Sequence, residues 1–279
     1  MPYTILHVDS SPLADHSISR KLSARVLAEL KAQHPDHRVI ERDLAVNPFP
    51  HLDSLTVAAF YTPPEQRNEA LSTAVKLSDE AVDEVFAADV IVIGAPMHNF
   101  GIPSSLKAWI DHIVRTGRTV RYGASGPEGL VPSNKKVIVV SARGGVYSEG
   151  PMKALDYQET YLRTILGFIG LTDVSSVRAE GTARSRGSET AMQSAEAQLA
   201  EALSKVGLKQ KRRAYVHSIL TCSHRAGTTR WRHFLRQGHG RAPIRRIAFR
   251  GHRPGRLPRE WTPIPAAPAR RLFGCDLCI

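Results

Sequence analysis

The run VIVIGAP at residues 90–96 is apolar without a break until it reaches glycine and proline, and KKVIVVSA at 135–142 repeats the pattern after two lysines. Continuous apolar runs of this length, rich in β-branched residues, have the character of strands buried on both faces. Such strands belong to parallel sheets covered by helices on either side. Working outward, Tyr3–Val8 is another short apolar run, Val39–Leu44 a further one and Ser175–Glu180 a weaker one. Between them Ile18, Leu22, Val26, Leu27 and Leu30 recur at helical spacing, and helical patterns also cover about 66–87, 104–115, 153–169 and 188–203. Strands alternating with helices in this way predict βαβ units with right-handed crossovers. The expected class is α/β, a doubly wound three-layer domain with a five-stranded parallel sheet and helices on both faces.

The chain has 279 residues, 42% hydrophobic and 23% charged, which allows one large domain or one ordinary domain with an appendage. Its net charge of +12 would ordinarily suggest a polyanionic partner. The distribution argues otherwise. Residues 1–203 carry 20 Lys+Arg against 24 Asp+Glu, a balance of −4, whereas 204–279 carry 18 against 2, a balance of +16. The charge therefore says nothing about what the domain at 1–203 binds. Cys222, Cys275 and Cys278 all lie in the second part, so neither a disulfide nor a cysteine nucleophile serves the first.

The start MPYTILHVDSS lacks a cationic segment followed by a long apolar one, and no apolar run reaches the roughly 18 residues of a membrane span. A cytoplasmic protein without a membrane partner is expected. From about Ser204 the residues turn to Arg, Pro, Gly and His without periodicity, so 204–279 reads as a disordered basic tail. Three explanations of the tail stand side by side. It is a read-through or out-of-frame product with no selected function, an arm for RNA or DNA phosphates, or a zinc site built from Cys275-Asp276-Leu277-Cys278 with Cys222 and histidines.

In doubly wound sheets ligands bind beyond the carboxyl ends of the strands, where strand order reverses. The stretches to weigh are therefore Asp9–Ser19, Ala95–Phe100 and Ser141–Tyr147. After the first strand, Ser10-Ser11-Pro12 leads to Ser17-Ile18-Ser19, where a helix begins. Its unpaired N–H groups, its dipole and the hydroxyls suit a phosphate monoester; the alternative is that Ser17 is simply an N-cap. The dinucleotide fingerprint GxGxxG is absent there, which disfavours a tightly held dinucleotide.

After the third strand, Met97, His98, Asn99 and Phe100 sit between the stiffening Pro96 and Pro103. Asn99 offers a donor and an acceptor to the edge of a planar heterocycle, and Met97 and Phe100 can pack beside a ring. The alternatives are core filling for the two apolar residues and an Asx-type turn for Asn99. After the fourth strand, Ala142-Arg143-Gly144-Gly145 places paired glycines where backbone N–H groups can approach a ligand. The alternatives are a simple tight turn and, for Arg143, a surface charge.

In combination and order, Ser10-Ser11 with Ser17-Ile18-Ser19, APMHNF at 95–100, GPEGLV at 126–131, ARGG at 142–145, LGFIGLTDV at 166–174 and AEG at 179–181 form a specific pattern. It resembles the FMN-dependent NADH:azoreductase and quinone reductase family, over about residues 3–203. The resemblance implies a flavodoxin-like fold. It implies non-covalent FMN held by Ser11, Ser17, Ile18, Ser19, Met97, His98, Asn99, Phe100, Ala142, Arg143, Gly144 and Gly145. It further implies electron transfer from NADH or NADPH to quinones and azo compounds by a ping-pong mechanism, with the azo bond cleaved to amines. No side chain need act as catalyst and no metal is required, because flavin N5 carries the hydride.

The resemblance also points to Phe100, Tyr122 and Phe168 as the pocket around the isoalloxazine, with core or dimer-interface packing as the alternative. It implies a homodimer in which each site is completed by the other subunit. Two positions depart from the family: residue 98, usually Tyr, is His, and residue 142, commonly Ser, is Ala. An imidazole at 98 bears on substrate preference or redox potential. The connection 115–135, with RTVRYGASGPEGLV, is long enough for a flap or short hairpin near the site. The competing reading is an electron carrier or inactive scaffold of the same fold, with a tail that binds nucleic acid.

Overall fold

The computed structural model describes residues 3–183 and 189–206. The expectations for the tail beyond Val206, whether disordered segment, nucleic-acid arm or zinc site, lie outside the described residues. In chain order the elements are β1 (Tyr3–Asp9), α1 (Ile18–Gln33), β2 (His37–Asp43), α2 (Ser54–Tyr61), α3 (Glu69–Ala87), β3 (Val90–Pro96), α4 (Ser104–Ile113), β4 (Val120–Gly123), β5 (Gly126–Gly129), β6 (Lys136–Ala142), α5 (Tyr157–Phe168) and β7 (Val174–Ala179). A last helix, α6, covers 189–206.

Five strands pair in parallel in the order β2-β1-β3-β6-β7, while β4 and β5 form a separate antiparallel hairpin. The chain runs from β1 outward to β2 and then crosses to β3 on the other side of β1. That reversal leaves a crevice beyond the carboxyl ends of β1 and β3.

The apolar runs behave as their composition demands. β3 is buried from Val90 to Ala95 and β6 from Val137 to Ser141, whereas β2 at the sheet edge is half-buried. Alternate side chains leave opposite faces of a strand. Leu6, Val8, Ile91, Ile93, Val137 and Val139 therefore meet α3, α4 and α5 through residues such as Val82, Trp109 and Leu162. On the other face Ile5, Val90, Val92, Ile138 and Val177 meet α1 and α6 through residues such as Leu22, Val26, Ala195 and Leu199. Each such aliphatic side chain removed from water contributes about 1.5–3 kcal/mol.

Several boundaries differ from those the periodicity predicts, for reasons of capping. α3 starts at Glu69 because the Asn68 side chain accepts from Leu71 N–H at 2.9 Å, and a single tight turn at Pro64–Gln66 precedes it. The pattern at 153–169 divides into a tight turn at Pro151–Leu155 and α5, whose cap is Asp156, accepting from Glu159 N–H at 2.9 Å. α2 has no counterpart in the sequence reading. SLTVAAFY lacks a polar stripe, and its cap, Asp53 accepting from Thr56 N–H at 2.7 Å, is what defines its start.

The long 115–135 connection contains the hairpin. Its base is clasped to the turn after α5 by Val131 N–H donating to Ile169 O at 2.9 Å. Gly170 has φ +106°, and a Cβ there would overlap the Val131 carbonyl, so the LGFIG stretch ends in glycine for steric reasons.

Candidate functional site

Three loops leave the carboxyl ends of β1, β3 and β6, and hydrogen bonds join them side by side. Ser10 donates to Gly94 O through both its N–H, at 3.1 Å, and its hydroxyl, at 2.7 Å. Met97 N–H donates to Ala142 O at 2.9 Å. The first loop is thus tied to β3, and the loop after β3 is tied to β6.

The first loop is pinned again by Arg20 on α1. Its Nε donates to Ser11 O at 2.9 Å, while its terminal nitrogens form a bidentate pair with Asp43 at 2.7 and 2.6 Å. Ser17 is the N-cap of α1: its Oγ accepts from Arg20 N–H at 3.2 Å and lies 3.1 Å from Ser19 Oγ. The capping alternative is therefore correct, and it does not exhaust the site. Ser11, Ser17 and Ser19 are all buried. The N–H groups of Ile18 and Ser19 in the first helical turn have no intrahelical acceptor, and the dipole's positive end faces the same place.

Beneath this loop lies the Asp9 carboxylate, accepting from Ser23 Oγ at 2.8 Å and standing 3.5 Å from His7 Nε2. Burial pushes the Asp9 carboxyl up from its ordinary value and pushes the His7 imidazole down. A Cβ at position 94 would overlap that carboxylate, so any larger residue there would have to displace the Asp9 side chain.

The loop after β3 is a two-residue reversal. His98 and Gly101 exchange main-chain hydrogen bonds at 3.0 and 2.9 Å, and between them Asn99 (φ 48°) and Phe100 (φ 68°) both lie in the left-handed region. Positive φ at two successive non-glycine residues is strained backbone. The N–H groups of Asn99 and Phe100 have no acceptor among the described residues. The Asn99 side chain makes no hydrogen bond there either, so an Asx-type turn is not what holds it. His98 is exposed and serves the turn through its main chain, which explains why the fold accepts a side chain other than Tyr at this position.

The loop after β6 corrects one alternative outright. Arg143 is not a surface charge: it is 1% exposed, and its guanidinium points into the body of the protein. Nε donates to Gln158 Oε1 at 3.0 Å, while the terminal nitrogens reach Asp156 at 2.7 Å, Glu180 at 3.2 Å and Glu159 at 3.5 Å. Gln158 in turn donates to Ala95 O at 3.0 Å. The Arg143 N–H is occupied too, donating to Ala179 O at 2.8 Å. Arg143 thus holds the loop from behind.

Three carboxylates around one arginine would repel one another without further cations. Burial opposes ionisation of Glu159, but hydrogen bonds from Arg178, Ser176 and Arg163 overcome it and hold that carboxyl at about 2. The carbonyls of Arg143, Gly144 and Gly145 accept from Thr182, Ala183 and Gly181, at 3.1, 3.2 and 2.9 Å. Fixed by its carbonyls, the loop leaves the N–H groups of Gly144 and Gly145 without acceptors among the described residues.

The crevice therefore combines a buried hydroxyl cluster at a helix N-terminus with two loops of unpaired main-chain donors. That arrangement fits a planar heterocycle carrying a phosphate: hydroxyls and helix amides for the phosphate, loop amides for the acceptor atoms of the ring. Ser11, Ser17, Ile18, Ser19, Met97, His98, Asn99, Phe100, Ala142, Arg143, Gly144 and Gly145 are all brought to this edge. The pocket aromatics are not all brought together. Phe100 is set edge-on against Tyr147, with centroids 6.2 Å apart. Tyr122 stands on the hairpin, 68% exposed, and Phe168 packs against the core cluster. Among the described residues no helix is long and apolar enough to cross a membrane, and no group of His, Cys, Asp or Glu is arranged to hold a metal ion.

The sequence marks the positions of Glu180, within the AEG stretch, and Tyr147, at the end of the third loop, without revealing their roles, and it carries no local signal for Asp156 or Gln158.

A family model described as Flavodoxin-like fold matches residues 3–203. The chain is 53% identical over 179 residues to an FMN-dependent NADH:quinone oxidoreductase of Herminiimonas arsenicoxydans, covering 64% of this chain and 87% of that one. It is 52% identical over 177 residues to a protein of the same name from Nostoc sp., covering 63% and 86%. Among solved structures it resembles an azoreductase from Bacillus anthracis str. Sterne, with TM-score 0.65 and 31% identity over 74% of this chain and 99% of that one. It also resembles an FMN-dependent NADH-azoreductase from Bacillus anthracis str. Ames Ancestor in complex with FMN, with TM-score 0.66 and 25% identity over 73% and 99%.

Proposed function

The chain belongs to the flavodoxin-like family that includes these oxidoreductases, and from that premise we propose that it is an FMN-dependent NADH:quinone oxidoreductase that also reduces azo compounds. The observation that carries this reading is the row of main-chain donors at Asn99, Phe100, Gly144 and Gly145 that find no acceptor among the described residues, next to the buried Ser11, Ser17 and Ser19 hydroxyls. FMN supplies the redox chemistry when bound, taking two electrons from a nicotinamide and returning them to an acceptor.

The chain's own residues bind and orient. Ser11, Ser17 and Ser19 with the first amides of α1 hold the phosphate. The amides of Asn99 and Phe100 would hold the ring system of FMN, and those of Gly144 and Gly145 would favour the negative charge it gains on reduction. Because these donors are fixed by the turn at 98–101 and by the carbonyl bonds of 143–145, they need little reorganisation during turnover.

Donor and acceptor would occupy the one pocket in turn, which predicts ping-pong kinetics. An azo bond consumes two hydrides and two protons and yields two amines, with two NADH oxidised to NAD. The setting is the cytoplasm and the domain is residues 1–203. The working unit is a homodimer whose second subunit brings Tyr122 or Phe168 to the pocket of the first, a reading supported by the exposure of Tyr122 and of Leu55 and Tyr61 on α2.

The test is purification of the full chain followed by identification of its chromophore and steady-state kinetics with NADH or NADPH against benzoquinone and an azo dye. A yellow protein with one FMN per chain and parallel double-reciprocal lines is expected. A colourless protein that takes up no FMN would sink the reading.

A further inference from the structure

Tyr147 ends the third loop stretch, Ser141–Tyr147, and its ring touches two of the loops that line the cradle. It meets Phe100 of the β3 loop at 6.2 Å and 69°, and it lies so close over Gly145 of the β6 loop that a Cβ there would stand 3.0 Å from it. The ring is half-buried, and its hydroxyl makes no hydrogen bond among the described residues. The side chain is therefore placed by its backbone. Glu180, directly after β7, accepts from Tyr147 N–H at 2.8 Å, from Ser148 N–H at 3.0 Å and from the Ser148 hydroxyl. The same carboxylate receives Arg143 at 3.2 Å. One buried-side ion pair thus fixes two successive amides and, through them, the ring.

We propose that Tyr147 is a specificity-determining residue of the acceptor pocket, a flat wall favouring fused-ring aromatic acceptors over small ones, and that Glu180, backed by Arg143, is its positioning residue. The proposal rests on the oxidoreductase reading above. An aromatic wall gains from stacking on a larger ring system, and its loss is felt most by the acceptor with more ring to stack. A flexible 147–148 segment would lose the same preference, because an unplaced ring must be ordered at each binding event.

The experiment uses the full-length holoenzyme and the variants Tyr147→Ala, Tyr147→Phe, Glu180→Ala and the double Tyr147→Ala/Glu180→Ala. Arg143 keeps Asp156 and Glu159 in the Glu180 variant, so its guanidinium stays paired there. The quantity read is kcat/KM for a naphthoquinone divided by kcat/KM for benzoquinone, both with NADH on one preparation, so that differences in FMN loading cancel. Tyr147→Ala should lower this ratio about three- to tenfold, Tyr147→Phe should keep it, and Glu180→Ala should lower it in the same direction. The double variant should fall no lower than Tyr147→Ala alone, since the clamp acts only through the ring. Amide hydrogen exchange at residues 146–149 should accelerate in Glu180→Ala. A Tyr147→Ala ratio equal to that of the parent overturns the wall; additive losses in the double variant, or unchanged exchange, overturn the clamp. A parent protein that binds FMN and reduces quinones while showing those results leaves the function standing, whereas one that reduces neither quinone overturns both.

Discussion

At the amino edge of the sheet, Tyr3 N–H donates to Asp36 O at 3.2 Å, Asp89 N–H to Thr4 O at 2.8 Å and Lys136 N–H to Asp89 O at 3.1 Å, whereas at the carboxyl edge the amides of Asn99, Phe100, Gly144 and Gly145 have no acceptor among the described residues. Lys135 completes the closed edge. Its buried ammonium donates to Phe86 O and Ala88 O, both at 2.6 Å, and so satisfies carbonyls at the end of α3. Burial pushes that ammonium down from its ordinary value, with Asp89 working against the shift. The same kind of main-chain group is thus satisfied internally at one end and held open at the other. One end of the sheet contributes stability and the other contributes binding.

The largest effect should come from Arg143→Met, which leaves Asp156, Glu159 and Glu180 around a site without its guanidinium. Losing one partner of a buried charge cluster costs about 3–5 kcal/mol, read as a lower urea midpoint. A loss below about 1 kcal/mol, the worth of an exposed pair, would mean the cluster is not the prop of the open edge. Next comes Lys135→Met at the closed edge, which strands two carbonyls at a cost of about 1–3 kcal/mol. Its FMN dissociation constant should match that of the parent, and a weakened one would break the division of labour between the edges.

A matched pair of caps sharpens the comparison. Ser17→Ala and Asn68→Ala each remove a helix N-cap worth about 1 kcal/mol. Only the first should weaken FMN in an isothermal titration, because Asn68 lies at α3, outside the crevice. Equal FMN affinities in the two variants would reduce Ser17 to a cap.

Last comes the pH dependence that Glu159 gives to stability, flat near neutral pH and steep only in acid. Its folded value of about 2 lies below the ordinary 4.5. The stability it contributes is therefore complete above about 4.5 and is lost as pH falls toward 2. Thermal melting followed from pH 5 to 2 should slope more steeply in the parent than in Glu159→Gln. Parallel slopes would show that the carboxyl is not held down in the fold.

Much of this is legible in the amino-acid sequence. β3 and β6 could be read because burial on both faces removes every polar position, and the three loops followed from the rule that places ligands at the carboxyl edge. α2 was hidden because SLTVAAFY has no polar stripe to give a helical period. α3 and α5 start later than their periodicity predicts because the caps at Asn68 and Asp156 set their first turns. Arg143 was placed on the cradle, but its direction could not be read: its partners Asp156 and Glu180 lie 13 and 37 positions away in the chain.

The amino-acid sequence by itself determined the alternation of strands and helices, the strands that lie at the centre, the segregation of charge into 204–279 and the place where serines and paired glycines gather. These are local properties, set by burial patterns and by backbone freedom at single residues. Only the tertiary structure decided which main-chain donors stay open, that Arg143 turns inward, and that Tyr147 bridges two loops on a clamp made by Glu180. Satisfaction of a hydrogen bond depends on partners brought together from distant parts of the chain, and no local pattern records whether a given amide has found one.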